Sequence, residues 1–229
     1  LNYFTDMHRR TQDYIELFPV HPSYFENFEK IRIGKSQREI LKTLSNQFSD
    51  LLEKDIPTDN PGLLTYENYW TDMLSDQSMM AIEDVRKVKQ IWDTINDKIE
   101  TNFTGARASK QQIAKRIASA CAIKILQSDL IDQNGTNAEK LVDDLCLTDK
   151  LAADRDFLID IIDTTAKLII TATSGQFFDL DADNGEYHLR IEGGINYDQN
   201  IKDYALTMSP SNKDDYFFKF LEINLPLDY

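Results

Sequence analysis

The sequence has no apolar run approaching the roughly 20 residues that a membrane-spanning helix needs; Leu168–Ala172 is a short buried segment at most. Its first residues lack the basic region and apolar core of a signal peptide. Histidine is rare: His8, His21 and His188 lie far apart, with no His-x-x-x-His spacing and no adjacent cysteine pair to complete a metal site. The phosphate-cradling pattern G-x-x-x-x-G-K-[ST] is missing. Gly34-Lys35-Ser36 reproduces only its last three letters, and the preceding Lys30–Ile33 offers no glycine to let backbone amides converge on a phosphate. There is no G-x-S-x-G elbow. Asp179–Gly185 alternates carboxylates as a calcium loop does, but the sixth position is Asn184 where glycine is required and the twelfth is Arg190 where a bidentate glutamate is required. A turn-forming, solvated role is the reading of that segment. The acidic pairs Asp143-Asp144 and Asp214-Asp215 are adjacent, which turns them outward as solvated surface.

Only two cysteines occur, Cys121 and Cys146, both in apolar helical surroundings. A disulfide is compatible with that, and buried free thiols of a cytoplasmic protein are the expectation. Basic residues are the minority charge: 25 Lys and Arg against 39 Asp and Glu give a net charge of −14. Such a field repels polyanions at long range and argues against extensive non-specific DNA binding, while leaving room for a local basic patch.

What the chain does contain is helical periodicity. Residues 1–18 carry apolar positions at helical spacing up to Pro19, with the basic edge His8-Arg9-Arg10. Pro19 and Pro22 around His21 force an extended or turning path, and His21 is expected to serve as a structural hydrogen-bonding residue. A short turn bearing Tyr24, Phe25 and Phe28 follows. Ser36 and Glu39 then have capping-box spacing, opening a helix through Ile40, Leu41, Leu44, Phe48, Leu51 and Leu52. Arg38 falls in its first turn beside Lys35, at the positive end of the helix dipole, where a cation is aimed at an anion. Ile56–Gly62 breaks the chain, and the aromatic cluster Tyr66, Tyr69 and Trp70 is expected to pack within it.

Val85, Val88, Ile91, Trp92, Ile95 and Ile99 mark a long amphipathic helix over 82–103. The turn Thr104–Ser109, with Ser109 as cap, leads to an alanine-rich helix. Lys110, Lys115, Arg116 and Lys124 give that region a positive bias and make it the candidate nucleic-acid surface. Thr136 and Glu139 have a second capping spacing before a short helix, and Leu158–Thr173 forms a longer one. From Gln176 the period changes to two, and two strands around Asp181–Gly185 make a β-hairpin. Helix, short helix, longer helix, hairpin is the order of a winged helix. The expected fold is mainly α, a helical bundle over residues 1–104 followed by a winged-helix-like module over 105–195 and a helical extension over 196–229.

The pattern F-P-x-H-P-x-x-x-x-x-F at Phe18–Phe28, followed by R-x-x-L-K-x-L at Arg38–Leu44, resembles the segment behind the nucleotide-binding core in large bacterial P-loop ATPases of the phage-resistance (BREX, bacteriophage exclusion) type. Asp144–Leu147, Ser174–Phe177 and Asn184–Tyr187 extend that resemblance over most of the chain. It implies that residues 1–104 are an AAA+-like lid and that Arg38 is a sensor reaching the γ-phosphate, with Lys35 secondary. It also implies that ATP and Mg are held by the parent protein and not by this piece, whose partners are the rest of that ATPase, other defence proteins and DNA. A helical adaptor that binds protein or DNA without nucleotide is the alternative. Since helical sequence is already under way at Leu1, a piece cut from a longer chain is expected.

Overall fold

The computed structural model describes residues 3–31, 37–52, 54–55, 61–128, 134–191 and 208–224. The fold is mainly helical, with a small antiparallel hairpin toward the C-terminal end of the core. The first expected helix is two, α1 (Thr5–Arg9) and α2 (Thr11–Leu17), because Arg10 between them leaves the helical region. There its guanidinium reaches Asp6, Asp13 and Glu26 at 3.6, 2.9 and 2.7 Å. The chain then crosses Val20, which bridges Leu64 through the Pro19 carbonyl and the His21 amide. Pro22 opens α3 (Pro22–Phe28), whose first turn is capped by His21 Nδ1 accepting the Ser23 amide. α4 (Gln37–Leu51) follows. α5 (Asn68–Ser75), α6 (Gln77–Met80) and α7 (Glu83–Asn102) lead to a 3-10 turn at Gly105–Lys110, so that Ser109 lies inside the turn and caps nothing.

α8 (Gln111–Ile125) is the centre of the molecule. Its interior positions, Ala114, Ile117, Ala118, Ala120, Cys121, Ala122 and Ile123, are buried on every side of the helix, and the alanines allow neighbours to approach closely. It packs against α5, α7, α10 (Arg155–Thr173) and the second strand of the hairpin. The buried residues form one core from Phe4 to Leu189, continuous across the Thr104–Ser109 turn. Each fully buried Ile or Leu in it contributes about 1.5–3 kcal/mol relative to exposure.

α9 (Ala138–Asp144) is capped by Asn137, whose side chain accepts the Lys140 amide at 2.9 Å, and not by Thr136 as its spacing suggested. Thr136 is instead paired backbone to backbone with Tyr187. The strands β1 (Phe178–Leu180) and β2 (Tyr187–Leu189) pair in the register Phe178 with Leu189 and Leu180 with Tyr187. α8, the Thr136 bridge, α9, α10, β1 and β2 thus follow one another in the order of a winged helix, with β2 between β1 and the isolated Thr136 bridge. Phe178, Tyr187 and Leu189 are buried in the core that α8 and α10 share, and His188, on the other face of β2, is buried as well, so the sheet is part of the core and the Asp181–Gly185 turn projects from it. α11 (Pro210–Asn224) completes the described chain.

Candidate functional site

α4 carries the first expected site. Arg38 lies in its opening turn, but its side chain, like that of Glu39, is outside the described residues, as are Lys35 and Ser36 entirely. Further along, α4 has two apolar stripes. Ile40, Leu44 and Leu51 face the core, and Gln47 between them is buried and donates to Asp72 of α5. Leu41, Phe48 and Leu52, spaced seven and four apart, fall on one line about a quarter-turn around the helix from the core-facing residues and are 67, 37 and 84% exposed. The apolar surface of α4 is therefore wider than the part the core covers.

The four cations expected to form a basic patch are each engaged within the chain. Lys110 pairs with Asp149, and Lys115 reaches Glu100 of α7 at 2.7 Å. Arg116 binds Glu67 at 2.6 Å and also donates to the Leu145 carbonyl and the Thr65 hydroxyl. Lys124 donates to Asn27 Oδ1 at 2.7 Å and lies 5.1 Å from the centre of the Tyr66 ring. Phosphates approaching this helix would therefore compete with acids already in place. The outward side of α10, the third helix of the winged-helix-like module, carries Asp156, Phe157, Asp160, Thr164 and Lys167, and an open groove of about 280 Å³ runs beside it from Phe157 to Arg107.

The structure places titratable groups together that their sequence positions do not announce. Asp143 binds Arg155 in a two-pronged contact at 2.9 Å and also accepts the Thr5 amide and hydroxyl, fastening α1, α9 and α10 together. Asp144 is largely enclosed, and burial raises its pKa to about 6 against the pull of Lys124. Burial in turn lowers that of Lys124. The Asp143-Asp144 pair is thus not the solvated surface its adjacency suggested. Beside it the hydroxyls of Tyr66 and Thr136 are buried next to each other. His21 has the expected structural role: its Nδ1 caps α3 and its Nε2 lies 2.6 Å from the Tyr14 hydroxyl. Burial lowers its pKa to about 4. Ser23 Oγ, 2.7 Å from Nδ1, is itself buried, out of a substrate's reach.

Among the described residues no group of three or more His, Cys, Asp or Glu is arranged to hold a metal ion. The carboxylates of the hairpin turn are used locally: Asp179 pairs with Arg190, and Asp181 accepts the Asp183 amide. No helix among the described residues is long and apolar enough to cross a membrane.

These features define a mainly helical module whose core ends in a small antiparallel hairpin, held by partly buried ion pairs and, among the described residues, bearing an exposed apolar stripe on α4. The chain belongs to the DUF6079 second-domain family, whose model matches residues 1–195. No curated protein and no solved structure matches it.

Proposed function

We propose that the chain is a non-catalytic relay module of a larger AAA+-like phage-defence ATPase, coupling ATP hydrolysis to engagement of partner proteins or DNA in the cytoplasm. The observation that carries this reading is the exposed Leu41, Phe48, Leu52 stripe on the helix whose first turn contains Arg38. Covering that stripe with another part of the parent protein would couple the environment of Arg38 to α5 through the Gln47–Asp72 contact. The family's description as a second domain agrees with a role inside a longer protein. The sequence has no phosphate loop, and in this reading the residues that would hold ATP and Mg belong to the parent. From this side Arg38 would meet the terminal phosphate, with Lys35 beside it.

Arg38→Ala in the intact protein should cut ATP turnover by about tenfold or more, the scale set by loss of one charge-stabilising contact, and leave unfolding of the 229-residue chain unchanged. Undiminished hydrolysis removes the sensor assignment. Leu52→Glu, at the most exposed position of the stripe, should uncouple turnover from partner engagement while altering the stability of the chain by no more than about 0.5 kcal/mol.

The alternative is an adaptor that binds protein or DNA independently of nucleotide, and the winged-helix order of α8 to β2 favours it. A salt-dependent mobility shift with duplex DNA, lost in Lys110→Gln/Lys115→Gln, supports its DNA form. Binding of a protein partner lost in Phe157→Glu supports its protein form.

A further inference from the structure

The described side chains of α11 take no part in the core. Tyr216, Phe217, Phe218 and Phe220 are 58, 57, 61 and 60% exposed, so the helix holds in water an aromatic surface whose burial would be favourable. At about 100° per residue, Tyr216, Phe217 and Phe220 share one side of α11 and Phe218 falls opposite them. Asp214 borders the three-ring face along one edge and Lys219 along the other.

The groove between the 3-10 turn and α10 is an apolar counterpart. Phe157, Ile161 and Leu168, four and seven residues apart, lie on one line of α10, and Ala106 lines the wall formed by the turn. Phe157 is itself 46% exposed. The volume of about 280 Å³ has room for roughly two aromatic rings, judged by the ~150 Å³ cavity that admits benzene. A charge stands on each wall. Arg107 is on the turn and Asp160 on the helix, both exposed and, among the described residues, in no ion pair.

We propose that a second copy of this chain lays its α11 in the groove beside α10, with Phe217 and Phe220 entering between the walls, so that two copies exchange helices about a two-fold axis. Two observations choose that occupant. The first is charge. Groove and helix each carry an apolar strip with a cation on one border and an acid on the other, so in one of the two directions in which α11 can lie, Asp214 meets Arg107 and Lys219 meets Asp160. The second is area. Three rings exposed to this extent, with the walls that receive them, hide on the order of 600–900 Å² in one groove, less than a specific interface needs. The reciprocal pair hides roughly 1,200–1,800 Å², the size of a stable complex. Within its own chain α11 leaves these rings exposed, so the groove is filled from the other copy. The exchange uses neither α4 nor Arg38 and stands apart from the relay reading.

Sedimentation equilibrium of the 229-residue chain should show monomer and dimer in exchange, with a Kd in the micromolar range or tighter. Phe220→Glu on α11 and Phe157→Glu in the groove should each weaken the dimer about a hundredfold, tenfold for each of the two contacts in which the substitution acts. Phe218→Ser, on the far side of α11, should change it by less than about twofold. Arg107→Glu and Asp214→Lys should each weaken it about tenfold, and combining them in one chain should restore the parent affinity. That charge swap probes the groove without touching its apolar wall, and Phe220→Glu touches no core residue, so the test does not depend on how α10 tolerates Phe157→Glu. The Phe157→Glu chain mixed with the Phe220→Glu chain should associate more tightly than either alone, because one of the two contacts then carries no substitution. A chain that stays monomeric up to submillimolar concentration overturns the inference. So does a dimer indifferent to Phe157→Glu and to the charge swap, as pairing of α11 with α11 would give, or equal weakening by Phe218→Ser, as non-specific association of exposed rings would give.

Discussion

The guanidinium of Arg116 on α8 lies 2.6 Å from the carboxylate of Glu67, which is only 4% exposed, although 49 residues separate them. Arg116 also donates to the Leu145 carbonyl at 2.6 Å, so one side chain ties the start of α5, α8 and the end of α9. The second oxygen of Glu67 is buried without a partner, which leaves Arg116 as the group that compensates its charge. Removing the cation from such a pair exposes the full desolvation cost of the acid. Because Arg116 is 32% exposed, Arg116→Ala should destabilise the chain by roughly 2–4 kcal/mol, at or below the range for fully buried pairs. Pairing Arg116→Met with Glu67→Gln should recover most of that loss, since no charge is then left alone. Urea midpoints at constant slope measure both. A loss under about 0.5 kcal/mol for Arg116→Ala would show that water solvates Glu67 after all.

His21 and Asp144 titrate against each other. The buried imidazole takes its proton near pH 4 in the folded chain and near 6.5 in the unfolded one. Between those values the unfolded state holds more protons, so this group makes stability fall as pH is lowered. Asp144 is shifted the other way, from 3.8 unfolded to about 6 folded. Across nearly the same interval the folded state holds its extra proton, and this group makes stability rise as pH is lowered. Each effect is worth about 3 kcal/mol when complete, so the two largely cancel. Asp144→Asn should therefore lose stability about 2–3 kcal/mol more steeply than the parent between about pH 6 and pH 4. His21→Asn, which still caps α3, should deviate in the opposite direction. The difference between variant and parent at each pH isolates the two groups from the rest. Parallel profiles would show that neither group is desolvated as the structure indicates.

Helices α7 and α10 were legible because their apolar residues recur at a fixed period and one face of each is buried, α8 because its run of alanine and isoleucine suits a helix buried on every side, and the hairpin because its period changes to two. The winged-helix order followed from those elements alone. What the sequence hid was pairing over distance. The bend at Arg10 depends partly on Glu26, sixteen residues on, and not only on the nearby Asp6 and Asp13. Thr136 lost the cap of α9 to Asn137 because its backbone was needed by Tyr187. The positive bias around α8 was real in sequence, yet Glu67, Glu100 and Asp149 arrive from other elements to meet it. Asp143 and Asp144 were misjudged for the same reason, since adjacency in a chain says nothing about which helix covers them.

Cys121 and Cys146 are free and buried, as their apolar surroundings suggested, and burial pushes both thiols up to about 12. Since the thiolate is the reactive form, an aromatic disulfide reagent at pH 8 should label neither in the folded chain and both after urea unfolding. Rapid labelling of one thiol under native conditions would place it at the surface.

Gly135 stands immediately before the strand position that completes the small sheet, and a Cβ added there would lie 2.7 Å from the Tyr187 carbonyl oxygen and 2.8 Å from Glu186 Cβ. The carbonyl cannot turn aside, because it accepts the Thr136 amide at 3.0 Å while the Tyr187 amide donates back to Thr136 at 2.7 Å. Gly135→Ala must therefore separate this strand from β2, at a cost of about 1–3 kcal/mol, typical of overpacking. The strain should show locally before it shows globally. Amide exchange at Thr136 and Tyr187 should accelerate strongly, whereas exchange within α7, on another side of α8, should change only as far as total stability falls. Gly185, whose φ of 70° is needed by the hairpin turn and around which a Cβ would meet nothing, provides the contrast. Gly185→Ala strains only the turn and should leave the exchange of Thr136 close to that of the parent. Equal acceleration at Thr136 in both variants would mean that the third strand position is held by the turn and not by the close approach at Gly135.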